Sequence, residues 1–272
     1  MLNMVRPKIS CVMVTLGRVE HVRNSVRCFI EQTYPNKELV VLSQGNAEEN
    51  KKIEECLRSV PDKVHFFPAP LDLTLGAMRN TSIEISTGNI ICQWDDDDLY
   101  HPDRLATQYK VLRSDSRRIA SFYCDFLKYF ANSGELYWCD WSGEPMTTHK
   151  YLCGTVMFYK EAFGQYCIFY PQNGAQCRVE EDLNVLEKLV VKGDIGPVFA
   201  GHQYIYVYHG TNTYDLDHHR LTLNTTWGKK VLGVEDLLAR QELLVDSLHK
   251  SGIRKPVIIR SNDGIAFTYE PK

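Results

Sequence analysis

Asn89-Ile-Ile-Cys-Gln-Trp-Asp-Asp-Asp-Asp98 is the stretch from which the rest of the chain can be read. Its first six residues make a mainly apolar run of strand length, and four carboxylates follow without a spacer. Adjacent carboxylates repel one another, so a chain tolerates them in water or beside a cation. A solvated loop in which Asp98 or a neighbour caps the helix beginning near Pro102 is the simpler reading. A cap needs one oxygen, however, and leaves three carboxylates unexplained. Ligands of parallel α/β sheets collect at the carboxyl ends of strands, and hard oxygen donors there suit Mg²⁺ or Mn²⁺ with a diphosphate completing the shell.

Upstream of this stretch the pattern alternates. Ile9–Thr15 is an apolar run suited to a strand buried on both faces, and Val22, Val26, Phe29 and Ile30 recur at helical spacing between His21 and Gln32. Leu39–Leu42 predicts a second strand, Asn50–Val60 a helix and Val64–Phe67 a third strand. Leu75–Ser86 predicts a helix closed by Thr87-Gly88, with the glycine as a left-handed cap. Strands alternating with helices of about ten residues imply a mostly parallel central sheet flanked by helices, a Rossmann-like α/β fold. Downstream, Ile119–Phe130 and Glu135–Trp141 predict strands joined at Asn132-Ser133-Gly134. Residues 180–192 predict a helix, Val198–Tyr208 a strand, Val234–Lys250 an amphipathic helix and Val257–Ile259 a last strand.

These motifs together resemble the family 2 glycosyltransferases of GT-A fold. The residues that carry the resemblance are Thr15 and Arg18 after the first strand, Gln32 to Pro35, Gly76 with Arg79-Asn80, Gly88, and Asp95 to Asp98. The match is close from Ile9 to Leu105 and weaker to about Thr213. It implies a nucleotide-sugar-binding and catalytic domain over 1–213, with a donor half at 1–105 and an acceptor half at 106–213. Residues 214–272 would form a C-terminal, largely helical extension available for acceptor choice or self-association as a homo-oligomer.

The resemblance also implies roles. Thr15, Arg18, Asp95 and Asp96 would lie on the donor, Asp97 would bind Mn²⁺ or Mg²⁺, Asp98 would orient the metal or a sugar hydroxyl, and Arg79 would add a second cation. Glu180-Glu181-Asp182 matches the family's Glu-Asp motif, which makes Asp182 the general base and Glu181 its partner; acidic residues also favour helix N-termini through the dipole. His209, after the strand ending at Tyr208, is a third metal ligand by the same resemblance, and Gly154-Thr155 would line the acceptor pocket. Trp138 and Trp141 suit either sugar stacking or core packing. His101, His218 and His219 lack a zinc spacing.

The pattern breaks after the second strand, where Ser43-Gln44-Gly45-Asn46 replaces the family's Asp-Asp-Gly-Ser. Gln44 can donate and accept, so with Ser43 it is still expected to read a base, without the charged contact. A UDP-sugar remains the favoured donor, with dTDP- and GDP-sugars open, and the acceptor is a hydroxyl on a glycan, a lipid-linked sugar or a protein. A non-catalytic sugar-nucleotide or glycan-binding module is the alternative. A nucleotidyltransferase would want a phosphate loop richer in glycine and lysine than Thr15-Leu-Gly-Arg18.

A formal net charge of −3 argues against nucleic acid as a partner. No window has the roughly 20 apolar residues of a membrane span, and the first seven residues hold no leader-like apolar stretch. Nine scattered cysteines without CxxC pairs fit buried thiols of a cytoplasmic protein, touching membrane only through its acceptor.

Overall fold

The computed structural model describes residues 6–60, 62–145, 147–174, 181–223 and 228–271. In chain order the elements are β1 (Ile9–Thr15), α1 (Val19–Ile30), β2 (Lys37–Ser43), α2 (Ala47–Leu57), β3 (Val64–Pro68), α3 (Leu75–Ile85), β4 (Ile90–Gln93), β5 (Leu99–Tyr100) and α4 (Arg104–Leu112). Then come β6 (Arg118–Tyr123), β7 (Asp125–Phe130), β8 (Glu135–Asp140), β9 (Met157–Tyr159), α5 (Lys160–Gln165), α6 (Glu181–Lys192), β10 (Asp194–Val198) and β11 (Tyr204–Tyr208). The chain closes with α7 (Leu216–Leu221), β12 (Lys230–Val231), α8 (Val234–Ala239), α9 (Gln241–Lys250), β13 (Val257–Ser261) and β14 (Gly264–Tyr269).

Two sheets result. The first runs β10-β6-β9-β4-β1-β2-β3, with β1 parallel to β2 and β4, and β9 antiparallel between β4 and β6. Both faces of β1, β2 and β4 are buried, which is why their sequences are continuous apolar runs rather than alternating ones. The second sheet runs β14-β13-β8-β7-β11-β5, with β12 also on β8. Asp95–Asp98 lie between β4 of the first sheet and β5 of the second, so the acid run is itself a crossing between sheets.

Several boundaries differ from the sequence expectation. The single strand expected over Ile119–Phe130 is two: β6 belongs to the first sheet and β7 to the second, with Cys124 between them donating its N–H to Val198 O. The strand expected over Val198–Tyr208 is likewise cut by the 3₁₀ turn Gly201–Gln203. At that second crossing a Cβ on Gly201 would sit 2.8 Å from Asp125 Oδ2, Phe126 N and Trp138 Nε1, so only glycine lets the crossings pack together. Gly88 is not a left-handed cap: an added Cβ would meet Ser10 Oγ at 2.5 Å, and close approach is its reason for being glycine.

Helix α2 starts three residues before its apolar pattern because Asn46 and Glu49 form a reciprocal capping box. The helix expected over Val234–Lys250 breaks at Arg240 into α8 and α9. The C-terminal extension carries its expected helices and also strands, since β13 pairs in parallel with β8. Glu180 lies outside the described residues. No helix among those described is long and apolar enough to cross a membrane. Cys11, Cys28, Cys92, Cys124 and Cys139 are buried free thiols, whereas Cys56 is half-buried and Cys167 exposed.

Candidate active site

The loops after β1, β2 and β4 leave the same edge of the first sheet, because these strands are parallel neighbours. This gathers Thr15, Arg18, Gln44 and the acid run. Beyond β4 the run bends at Asp96 and Asp97, and its side chains alternate in exposure. Asp95 and Asp97 keep 22% and 18% of their side-chain surface open, whereas Asp96 keeps 1% and Asp98 is buried. Four like charges are thus divided between two sides.

The inward pair is held by hydrogen bonds. Asp96 Oδ2 accepts from Thr15 Oγ1 at 2.5 Å and Arg18 Nε at 3.1 Å, while its Oδ1 takes Arg18 Nη2. Burial, then the Asp97 charge, pushes its carboxyl up to about 6. Asp98 accepts from the Tyr204 hydroxyl and from Val207 N–H at 2.9 Å. Burial, reinforced by Asp97 and Asp95, drives its carboxyl well above the usual range. With both oxygens engaged, Asp98 works as a strut under the run rather than an open ligand.

The outward pair faces chemistry. Asp97 Oδ2 lies 2.9 Å from Arg18 Nη1 and 3.2 Å from His209 Nε2. Burial opposes its charge, but His209 and Arg18 overcome that and hold the carboxyl near about 2. His209 is brought there by β11, which pairs with β7 and β5 in the second sheet. Its ring meets His21 of α1 at 4.7 Å, and its Nδ1 lies 2.9 Å from Thr211 Oγ1. Among the described residues no three His, Cys, Asp or Glu side chains converge into a complete cation cage. One carboxylate and one imidazole suit a divalent ion that draws its remaining ligands from substrate phosphates and water. In this arrangement Arg18 supplies the neutralising positive charge.

Arg79 joins the two carboxylate clusters. Its Nε donates to Glu181 Oε1 at 2.8 Å and its Nη1 to Asp95 Oδ1 at 3.2 Å. A guanidinium presents rigid, divergent donors, so one side chain spans from the acid run to α6. Asp182, next to Glu181 at the start of α6, is half-buried, and its Oδ1 accepts from Leu183 N–H at 2.9 Å. Burial, then the Glu181 carboxylate, pushes Asp182 up to about 7.

After β2, the Gln44 amide donates to Pro70 O at 2.9 Å and Leu73 O at 2.7 Å, and its carbonyl oxygen has no protein partner among the described residues. Ser43 is a correction to the expected donor contacts: it is buried, and its hydroxyl donates to Asn50 Oδ1 at 2.7 Å, inside the wall. Gly154 fits the acid run closely, since an added Cβ would stand 3.0 Å from Asp95 Oδ2. Trp138 is core, and half-buried Trp141 packs on Phe126 with Lys229 over its ring.

Sequence reading missed several supports. Gln93 donates to Asp95 at 3.2 Å and accepts from the Tyr170 hydroxyl at 3.0 Å; a glutamine inside an apolar strand was its only signal. Ser25 Oγ and the Tyr100 hydroxyl both donate to the Asp95 carbonyl. Beneath them Arg104 is fully buried among the rings of Trp94, Tyr100 and Tyr204, at 4.4–4.9 Å. Its Nη2 donates to Gln93 O, while Nε and Nη1 have no protein partner among the described residues.

Residues 10–169 match the family model described as glycosyl transferase family 2. An uncharacterised glycosyltransferase of Methanocaldococcus jannaschii is 31% identical over 117 residues, 41% of this chain and 39% of that protein. The chain spans less than half the length of the curated relatives it matches. A mannosyltransferase of Pyrobaculum calidifontis, PcManGT, solved with GDP-Man and Mn²⁺, superposes with a TM-score of 0.57 at 16% identity, over 91% of this chain and 65% of that one. Residues 1–349 of S. aureus TarS, solved with UDP-GlcNAc, give 0.56 at 14% identity, over 89% and 66%. At such identities the likeness is one of fold, the GT-A fold.

Proposed function

The chain belongs to glycosyl transferase family 2, and on that premise we propose that it transfers a sugar from a nucleoside diphosphate to a hydroxyl acceptor with inversion, Asp182 serving as general base. The observation that carries this reading is the Arg79 bridge, which brings Asp95 of the donor half and Glu181 of the acceptor half to one guanidinium. Attack with inversion needs a base on one side of the anomeric carbon and charge stabilisation on the other. Asp182, with a carboxyl near about 7, can take a proton from the acceptor at neutral pH. Asp97 and His209 would hold Mn²⁺ or Mg²⁺, which supplies the Lewis acidity that neutralises a departing diphosphate.

Thr15 and Arg18 position Asp96 and so fix the direction of Asp97, and Tyr204 does the same through Asp98. Arg79 keeps Asp95 oriented and adds positive charge on the donor side. Gln44 can only accept once its amide is spent, which suits a base with an imino N–H, as in uracil or guanine. UDP-sugars remain the first choice and GDP-sugars the second; the complexes of TarS with UDP-GlcNAc and PcManGT with GDP-Man support both. The acceptor is proposed as a hydroxyl on a glycan, lipid-linked sugar or protein.

The test is nucleoside diphosphate release with Mn²⁺, a panel of UDP-, GDP- and dTDP-sugars and oligosaccharide acceptors. Release with one donor, lost in Asp182→Asn, is the expected result. Donor-induced thermal stabilisation with no release under any pairing would instead make the chain a binding module.

A further inference from the structure

Tyr206 lies in the middle of β11 and plays no part in the contacts described above. Alternation puts Tyr204, Tyr206 and Tyr208 on the face of the second sheet that joins the main core, and Ile205 and Val207 on the face covered by α8 and α9. Asp98 straddles the position. One of its oxygens takes the Tyr204 hydroxyl and the other the Val207 N–H at 2.9 Å, so the residues on both sides of Tyr206 are tied to the acid run. Lys128, its register partner on β7, stands 5.4 Å from the ring and is tied to Thr222, while His219 of α7 packs 5.5 Å away. The ring is thereby fixed by β7 and the C-terminal extension together.

Its hydroxyl is left free. The phenols of Tyr100, Tyr204 and Tyr170 are spent on the Asp95 carbonyl, Asp98 and Gln93, whereas the Tyr206 hydroxyl has no partner among the described residues. Tyr206 is half-buried, and its hydroxyl is not one of the buried atoms left orphaned, as both His219 nitrogens are; it opens into the cleft. Burial, then the charges of Asp98, Asp97, Asp95 and Asp182, hold this phenol well above its usual range. It therefore stays protonated at neutral pH and can donate, and the carboxylates around it belong to both the acid run and the start of α6.

We propose that Tyr206 contacts the sugar in transfer, its hydroxyl donating a hydrogen bond to a hydroxyl of that ring. The inference rests on the proposed function and deepens it, naming a residue that reads the sugar rather than the nucleotide. In that reading the diphosphate belongs with Asp97 and His209 and the acceptor with Asp182. The sugar must then lie between them, where the Tyr206 phenol stands in the field of both. A neutral donor suits a neutral sugar hydroxyl, whereas the charges of a diphosphate call for the cation.

Isothermal titration calorimetry in Mn²⁺ tests this, with UDP, GDP, UDP-glucose, UDP-GlcNAc and GDP-mannose as probes on wild type and Tyr206→Phe. The substitution keeps the ring and its packing, and an unchanged thermal midpoint checks the fold. Wild type is expected to bind at least one sugar nucleotide, and in Tyr206→Phe the affinity for that probe should fall about three- to tenfold, the scale of one uncharged hydrogen bond. Affinity for the matching UDP or GDP, which lacks the sugar, should stay the same. Equal affinity of both proteins for the sugar nucleotide, or an equal loss with the bare nucleoside diphosphate, would overturn the inference and leave the proposed function standing. A wild type that binds no sugar nucleotide would overturn both. Weaker sugar-nucleotide binding in Tyr206→Phe, with no nucleoside diphosphate release from that probe in wild type, would uphold the contact and count against transfer alone.

Discussion

Asp182 places two demands on one carboxyl. Its pKa, raised from the usual carboxylate range to about 7, means the folded protein holds a proton that the unfolded chain has shed by neutral pH. Stability from this group is therefore present at low pH and lost as pH climbs from about 4 through 7. Activity runs the other way, because only the ionised form accepts a proton: kcat/KM should rise with pH and level off above about 7. Asp182→Asn should lower kcat by about 10²-fold or more while raising Tm by about 2–4 °C. Turnover assays and thermal melts on the same preparation check both halves: retained kcat would remove the base assignment, and a lower Tm would remove the stability argument. Arg79→Met leaves Asp95 and Glu181 without their shared cation and should cost about 3 kcal/mol, read as a drop in the urea midpoint. Arg79→Lys should recover little of it, since an ammonium is a single point rather than a fork.

At the scale of elements, the crossings between sheets matter more than the strands they join. Gly201→Ala forces a methyl onto Asp125, Phe126 and Trp138 and should cost about 1–3 kcal/mol in denaturant unfolding. Asn46→Ala removes the capping box of α2 and should cost about 1 kcal/mol by the same measurement. These positions also mark where sequence reading stopped. Buried runs such as Ile9–Thr15 announce themselves, because a strand covered on both faces admits little but apolar residues. A strand that leaves one sheet and enters another keeps the same local pattern, so nothing in Ile119–Phe130 marks the change at Cys124. The acid run was legible through charge after an apolar strand, and Arg79 through the family resemblance alone. Tyr170 and Tyr204 were not, since their partners lie 77 and 106 residues off, and Gln93 and Arg104 were not, since their settings depend on packing that also brings in Tyr170 and Tyr204.

For the whole molecule, the candidate metal pair is assembled across its two sheets: Asp97 enters from the end of β4 and His209 from the end of β11. Ligands bridging them should therefore stabilise the fold as a unit. With free Mn²⁺ and sugar nucleotide at a hundred times their joint Kd, linkage gives about 2.7 kcal/mol, a rise of several degrees in Tm. Asp97→Asn should abolish the Mn²⁺-dependent part of that rise. An equal shift in wild type and variant would place the cation elsewhere.

Asp95 to Asp98 join β4 to β5 through a bend at Asp96 and Asp97, with inward and outward carboxylates in turn. Deleting or inserting one residue before Asp95 would pull the oxygens now tied to Thr15 and Tyr204 off their donors and misdirect Asp97. Among homologous chains, this crossing should therefore hold its length, whatever freedom the surface loops enjoy.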